Sequence, residues 1–155
     1  MRKTSNTLFI LLLIFMNISC KSQSSESQGI SGKITWLEGN QMPMISDDGS
    51  ATPPNPKGVP VKRTLLIYPL TNLADAKMED GLFVQIKGEA IIQTESDENG
   101  EFALELSPGR YSIFTQEEGG LFANIFDGEG NIQPVTIKEK EWTKLDIIIN
   151  YKAVF

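Results

Sequence analysis

From Ile30 to the C-terminus apolar residues recur with period two, and this alternation constrains the fold more than any other feature of the chain. Successive side chains of a strand point to opposite faces, so such a pattern means strands with one buried face. In ISGKITWL, Ile34 and Trp36 share one face and Lys33 and Thr35 the other. VPVKRTLLIYPL, residues 59–70, contains Leu65-Leu66-Ile67-Tyr68, apolar on both faces as in a central strand. Further strands are expected over Phe83 to Gln93, Glu101 to Leu106, Arg110 to Thr115, Leu121 to Phe126 and Ile132 to Lys138. In the last segment, WTKLDIIINYKAVF, the residues Leu145, Ile147, Ile149 and Tyr151 share a face. Only LADAKMED, residues 73–80, suggests a helix. No period of 20–50 residues repeats, which argues against a solenoid or propeller. The pattern predicts a sandwich or a barrel.

Residues 96–114, SDENGEFALELSPGRYSIF, combine acids, turn residues and two alternating runs. Phe102, Leu104 and Leu106 alternate with Glu101, Ala103 and Glu105; Tyr111 and Ile113 alternate with Arg110 and Ser112. Between the runs, Pro108 presets φ and Gly109 permits φ > 0, as a type II turn requires. A hairpin is expected here, preceded by a turn at Asn99-Gly100.

The strand SGKIT, a later GVPVKRTLLIY and then SDENGEFALELSPGRYSI together resemble the carboxypeptidase regulatory-like domain. The resemblance is good over residues 96–115, fair over 30–36 and 58–68, and weak elsewhere. It implies an all-β, transthyretin-like (prealbumin-like) Greek-key β-sandwich of about seven to eight antiparallel strands. Such domains occur beside peptidases, in outer-membrane transporters and as free lipoproteins, and are generally not catalytic.

The N-terminus reads MRKTSNTLFILLLIFMNISC. Arg2 and Lys3 precede an unbroken apolar run from Leu8 to Met16, too short to span a bilayer but suited to a signal peptide. The ending Asn17-Ile18-Ser19-Cys20 resembles the lipobox of bacterial lipoproteins, with Asn17 departing from the usual aliphatic residue. That resemblance implies removal of residues 1–19 and lipidation of Cys20. The expected organisation is then a signal peptide at 1–19, a lipidated cysteine and flexible tether at 20–29, and the sandwich domain at 30–155. The expected location is the bacterial cell envelope, lipid-anchored in the outer membrane; Lys21, where aspartate would signal inner-membrane retention, fits this.

Loss of Arg2 and Lys3 leaves 12 basic against 20 acidic residues, a net charge of −8. Nucleic acid and anionic headgroups are therefore poor partners. The chain has no histidine, and Cys20 is its one cysteine. No Ser-His-Asp or Cys-His arrangement can form, and no thiolate–imidazole zinc site. A Ser-Lys pair or a carboxylate pair is formally available, but serines lie mainly in turns and the tether, and small sandwiches seldom provide a carboxylate-lined cleft. The expectation is a non-enzyme without cofactor or metal.

Three acidic patches have oxygens for calcium: Asp47-Asp48, Asp97-Glu98, and DGEGN with Asp127, Glu129 and Asn131. None has EF-hand spacing, and Asp, Asn and Gly are ordinary turn residues. If consecutive strands reverse direction, the loop 39–60, the Asn99-Gly100 turn, Glu117-Glu118-Gly119-Gly120 and residues 138–141 share one end. That end would gather Asp47, Asp48, Asp97, Glu98, Glu117 and Glu118; DGEGN and residues 71–81 would lie at the other. The loop 39–60 has five prolines and reads as a binding loop or a disordered excursion, with Met42, Pro43, Met44 and Ile45 available to pack on the sandwich. Trp36 and Trp142 are candidate sugar platforms. The function expected is a binding or structural module with an envelope protein or glycan as partner. The alternatives are a carbohydrate-binding accessory lipoprotein and a calcium-dependent adhesion module.

Overall fold

The computed structural model describes residues 27–42, 44–45, 51–52 and 57–155, without the side chains of 44–45 and 51–52. The predicted signal peptide, Cys20, Asp47 and Asp48 lie outside the described residues. The described chain is all-β: β1 (Gly29–Asn40), β2 (Met44–Ile45), β3 (Ala51–Thr52), β4 (Val59–Pro60), β5 (Thr64–Pro69), β6 (Ala76–Glu79), β7 (Leu82–Ile86), β8 (Ile92–Glu95), β9 (Glu101–Glu105), β10 (Gly109–Glu117), β11 (Gly120–Phe122), β12 (Pro134–Ile137), β13 (Trp142–Lys144) and β14 (Ile147–Val154). Short segments such as β4, β11 and β13 explain why these outnumber the seven or eight strands expected.

Two sheets stack into a sandwich. In the first, β1 is central, with β13 and β14 along one edge and β9 and β4 along the other. In the second the order is β6-β7-β11-β10-β5-β8, and β12 extends the β11 edge of β10. Ile30 and Ile34 of β1, Phe102 of β9 and Ile147 and Ile149 of β14 meet Leu65 and Ile67 of β5, Ile113 of β10 and Val135 and Ile137 of β12 in one core. Each such burial stabilises the fold by about 1.5–3 kcal/mol. The alternation seen in the sequence is the record of this shared interior.

The outer face of the second sheet is covered as well. Phe83, Phe114, Ala123 and Ile132 form a smaller cluster, and Phe114 meets Tyr68 and Phe83 edge-on at 5.4 and 5.6 Å. Ser112, expected on a solvent face, is therefore fully buried, and its Oγ accepts the Thr71 N–H at 2.9 Å.

Several expectations are corrected. β9 and β10 are not a hairpin: β9 pairs with β1, whereas β10 pairs with β5, β11 and β12. Ser107-Pro108-Gly109 is a corner that carries the chain from one sheet to the other, and Gly109 is not at positive φ. The Tyr111 hydroxyl donates to the Ser107 carbonyl at 2.9 Å and braces the corner. The sheets are not wholly antiparallel, because β1 runs parallel to β13 and β14. LADAKMED forms only a 3-10 turn at Leu73–Asp75 and then β6, which Lys77, Met78 and Glu79 extend along a hairpin edge closed by Asp80-Gly81. Phe83 to Gln93 is two strands, broken at a bend where Gly88 has φ 95°. Part of the loop 39–60 is ordered: β2 and β3 pair, with Met44 opposite Thr52. Met42 is exposed, and packing by Pro43, Met44 and Ile45 lies outside the described side chains. The domain also reaches back into the predicted tether. Trp142 Nε1 donates to Ser27 Oγ at 3.3 Å and the Leu106 N–H donates to the Gln28 carbonyl at 3.2 Å.

Candidate functional site

Two of the acidic patches are the same local device. In Asp97-Glu98-Asn99-Gly100-Glu101, Asp97 Oδ1 accepts the N–H groups of Asn99 and Glu101 at 2.9 and 2.8 Å. The Gly100 N–H donates to the Asp97 carbonyl, and the Asp97 N–H donates to that of Glu101. In Asp127-Gly128-Glu129-Gly130-Asn131 the same four bonds recur, with Oδ1 distances of 3.0 and 2.8 Å. Gly100 and Gly130 stand at φ 75° and 81°, the left-handed geometry that favours glycine. Asn131 Nδ2 and Arg110 add bonds to Asp127 Oδ2 at 2.8 and 3.3 Å. These bonds, led by the Asn131 side chain, hold the Asp127 carboxyl below its ordinary range. Both aspartates spend an oxygen on their own backbone, and among the described residues no group of three or more acids is placed to hold a metal ion. The patches are turn scaffolding.

The lower end of the sandwich, where β1 begins, holds DGEGN. It lies against residues 71–75, as expected: Asn72 bridges Asn131 and donates to the Glu129 carbonyl at 2.9 Å. The β6–β7 turn is the exception, since Gly81 lies beside Tyr151 at the upper end. Residues 138–141 are a correction: β12 ends opposite Gly109 and the Lys140 N–H donates to Gln28 Oε1, so they belong to the lower end. Trp142 is there too, paired with Gly29, so the two tryptophans do not form a common platform.

The upper end does collect charge, but in pairs. Lys62 lies 3.4 and 3.8 Å from Glu95 and Glu98. Deeper, Arg63 Nε donates to both oxygens of Glu117 at 3.1 and 3.3 Å. The Glu117 side chain is 3% exposed and that of Arg63 30%. Burial raises the Glu117 pKa above its ordinary value, and Arg63 only partly offsets this. Tyr151, desolvated and facing Glu117, is raised as well. Perturbed groups lining a cleft are a physical mark of a functional site.

Around this pair stands an aromatic wall. Trp36 of β1 and Tyr151 of β14 meet edge-on, with centroids 5.3 Å apart at 82°. The Arg63 guanidinium lies 5.6 Å from the Trp36 ring, and Lys152 Nζ lies 5.7 Å from both rings. Trp36, Arg63, Glu117, Glu118, Tyr151 and Lys152 line a cavity of about 370 Å³. Through Gln116 and Glu117 it adjoins a groove of about 590 Å³ on the outer face of the second sheet, which presents Tyr68, Gln85 and Gln93. The arrangement sets two aromatic faces, two carboxylates and two cationic side chains around one cavity.

Glu117 and Glu118 were legible as upper-end residues. Arg63, Tyr151 and Lys152 were not legible as site residues. Arg63 lies between β4 and β5, outside the alternation, and Lys152 joins the side of Tyr151 only through an irregularity in β14. No family model, no curated protein and no solved structure matches the chain.

Proposed function

We propose that the chain is a lipid-anchored bacterial envelope protein whose sandwich is a non-catalytic binding or structural module of the carboxypeptidase regulatory-like, transthyretin-like Greek-key type. In this reading residues 1–19 are a removed signal peptide, Cys20 carries acyl chains in the outer membrane, and the following residues are a tether. Acyl chains contribute about 0.8 kcal/mol per buried methylene, and several chains hold a protein firmly on a membrane.

One observation carries the binding role. The chain enters the sandwich at Gly29, at the lower end, while the cavity at Trp36, Arg63 and Glu117 lies toward the other. Seven residue steps along β1 separate Gly29 from Trp36, roughly 23 Å at the usual rise. A tethered domain with this layout presents its cleft away from the anchor.

A photo-reactive residue at exposed Gln116, compared with one at exposed Glu139 on the lower end, tests this in intact envelopes. Adducts from position 116 that are absent at 139 support the reading. Equal adducts at both, or adducts at 139 alone, contradict it. The second reading, a carbohydrate-binding accessory lipoprotein, is favoured by the groove that presents three glutamine amides beside Tyr68. Adducts from position 116 to polysaccharide instead of polypeptide select it.

A further inference from the structure

An ammonium group of the chain's own lines the upper cavity. Lys152 Nζ lies 5.7 Å from the centroids of both Trp36 and Tyr151, in the angle between two nearly perpendicular rings. Among the described residues Lys152 forms no ion pair, although Glu117 and Glu118 line the same cavity. Most described lysines reach a carboxylate; this one reaches two aromatic faces.

The backbone is built to put it there. Neighbouring residues of a regular strand point to opposite faces. In β14, however, Ile149 lies opposite Trp36 and Lys152 opposite Glu38, so Asn150 and Tyr151 together face Leu37. The extra residue is a bulge, a device that re-aims side chains at the expense of ladder pairing. It brings both Tyr151 and Lys152 against Trp36. Arg63, held by Glu117, supports Trp36 in addition.

The charges point to the class of ligand. Arg63 and Lys152 balance Glu117 and Glu118 while Lys152 is seated. Once Lys152 swings out, the cavity is net negative and its aromatic corner is open. An anion is disfavoured there, and an organic cation is favoured by both the carboxylates and the ring quadrupoles. Lys152 itself is exposed, and a long flexible stem lets its head return to water. The cavity, about 370 Å³, is of small-ligand size.

We propose that the Trp36–Tyr151 corner is a binding site for a small organic ammonium cation, and that Lys152 is a built-in occupant which the ligand displaces. The proposal rests on reading the domain as a binding module and is independent of the lipid anchor.

The test uses the full chain in a maltoside detergent, free of choline headgroups. Trp142→Phe leaves Trp36 as the sole tryptophan. Choline chloride and n-butylammonium chloride are titrated at constant ionic strength, and 3,3-dimethylbutan-1-ol serves as the neutral isostere of choline. A saturable change in Trp36 emission is expected with at least one cation and not with the alcohol. Removing the competitor with Lys152→Ala is expected to tighten cation binding about tenfold, while Lys152→Arg, which keeps a charged occupant, stays near wild type. The proposal is overturned by Lys152→Ala giving no saturable response to either cation. It is also overturned by the alcohol matching choline, or by Lys152→Arg binding as tightly as Lys152→Ala. None of these outcomes bears on Cys20.

Discussion

Removal of Arg63 strands a buried carboxylate, and the cost must depend on pH. Glu117 is 3% exposed and accepts from Arg63 Nε through both oxygens. Breaking a buried ion pair by deleting one partner typically costs about 3–5 kcal/mol. The Arg63 side chain is 30% exposed, so water enters the gap it leaves and the cost for Arg63→Ala is set lower, at about 2–3 kcal/mol. For a domain of this size that lowers Tm by roughly 8–12 °C. Glu117→Gln behaves differently. Burial has already raised the Glu117 pKa, which means that folding disfavours its charged form. A neutral amide is therefore tolerated to within about 1 kcal/mol, and the double variant recovers most of the Arg63→Ala loss. The sign with pH follows. A carboxyl whose folded pKa is raised contributes its stability below the unfolded value and loses it as pH rises through the folded value. Without Arg63 the folded value rises further, and the window widens at about 1.4 kcal/mol per pH unit. Urea unfolding at about pH 4 and about pH 7.5 should thus show a small gap between wild type and Arg63→Ala in acid and a large one near neutrality. A gap independent of pH would show that the Glu117 charge is not the source of the loss, as would a Glu117→Gln variant as damaged as Arg63→Ala and not rescued in the double.

Three further outcomes are expected. Calcium up to millimolar levels leaves the wild-type Tm unmoved, whereas Asp97→Ala costs about 1–2 kcal/mol by freeing two backbone N–H groups; a calcium-dependent rise in Tm that Asp97→Ala abolishes would contradict the turn assignment. Tyr111→Phe removes the bond to the Ser107 carbonyl and is expected to cost about 0.5–1.5 kcal/mol in urea unfolding, an unchanged midpoint arguing against a bracing role. Gly32→Ala places a Cβ 1.8 Å from the Leu145 carbonyl oxygen, a clash with backbone between β1 and the β13–β14 bend. It should lower Tm more than Gly39→Ala, whose Cβ meets nothing although its φ is 79°; the reverse order would contradict the register.

Some of this fold was legible in the residues alone. Spacing alone puts Ile34 on one face with Trp36, and Ile147 on one face with Ile149, and Ile34, Ile147 and Ile149 are all buried. Asn99-Gly100 is a turn because glycine there stands at positive φ. Partners were not legible. Phe102 and Ile113 face one interior whether their strands pair with each other or sit in opposite sheets, so alternation across Ser107-Pro108-Gly109 looks the same in a hairpin and in a crossover. The parallel pairing of β1 with β14 joins residues more than a hundred positions apart, and no local signal reports it. The same limit hid Lys152, which reaches Trp36 beside Tyr151 because β14 is bulged, while the upper-end position of Glu117, the last residue of β10, was legible.

The proposed lipid anchor at Cys20 is tested by the N-terminal peptide of the protein purified from its source cells. Its mass should be that of a chain beginning at Cys20 with a thioether diacylglyceryl group and an acylated amino terminus, and a Cys20→Ala chain that has lost residues 1–19 should leave the membrane fraction. An unmodified Cys20, or a Cys20→Ala chain that has lost residues 1–19 yet remains wholly in the membrane fraction, would rule out lipid at Cys20 as the anchor.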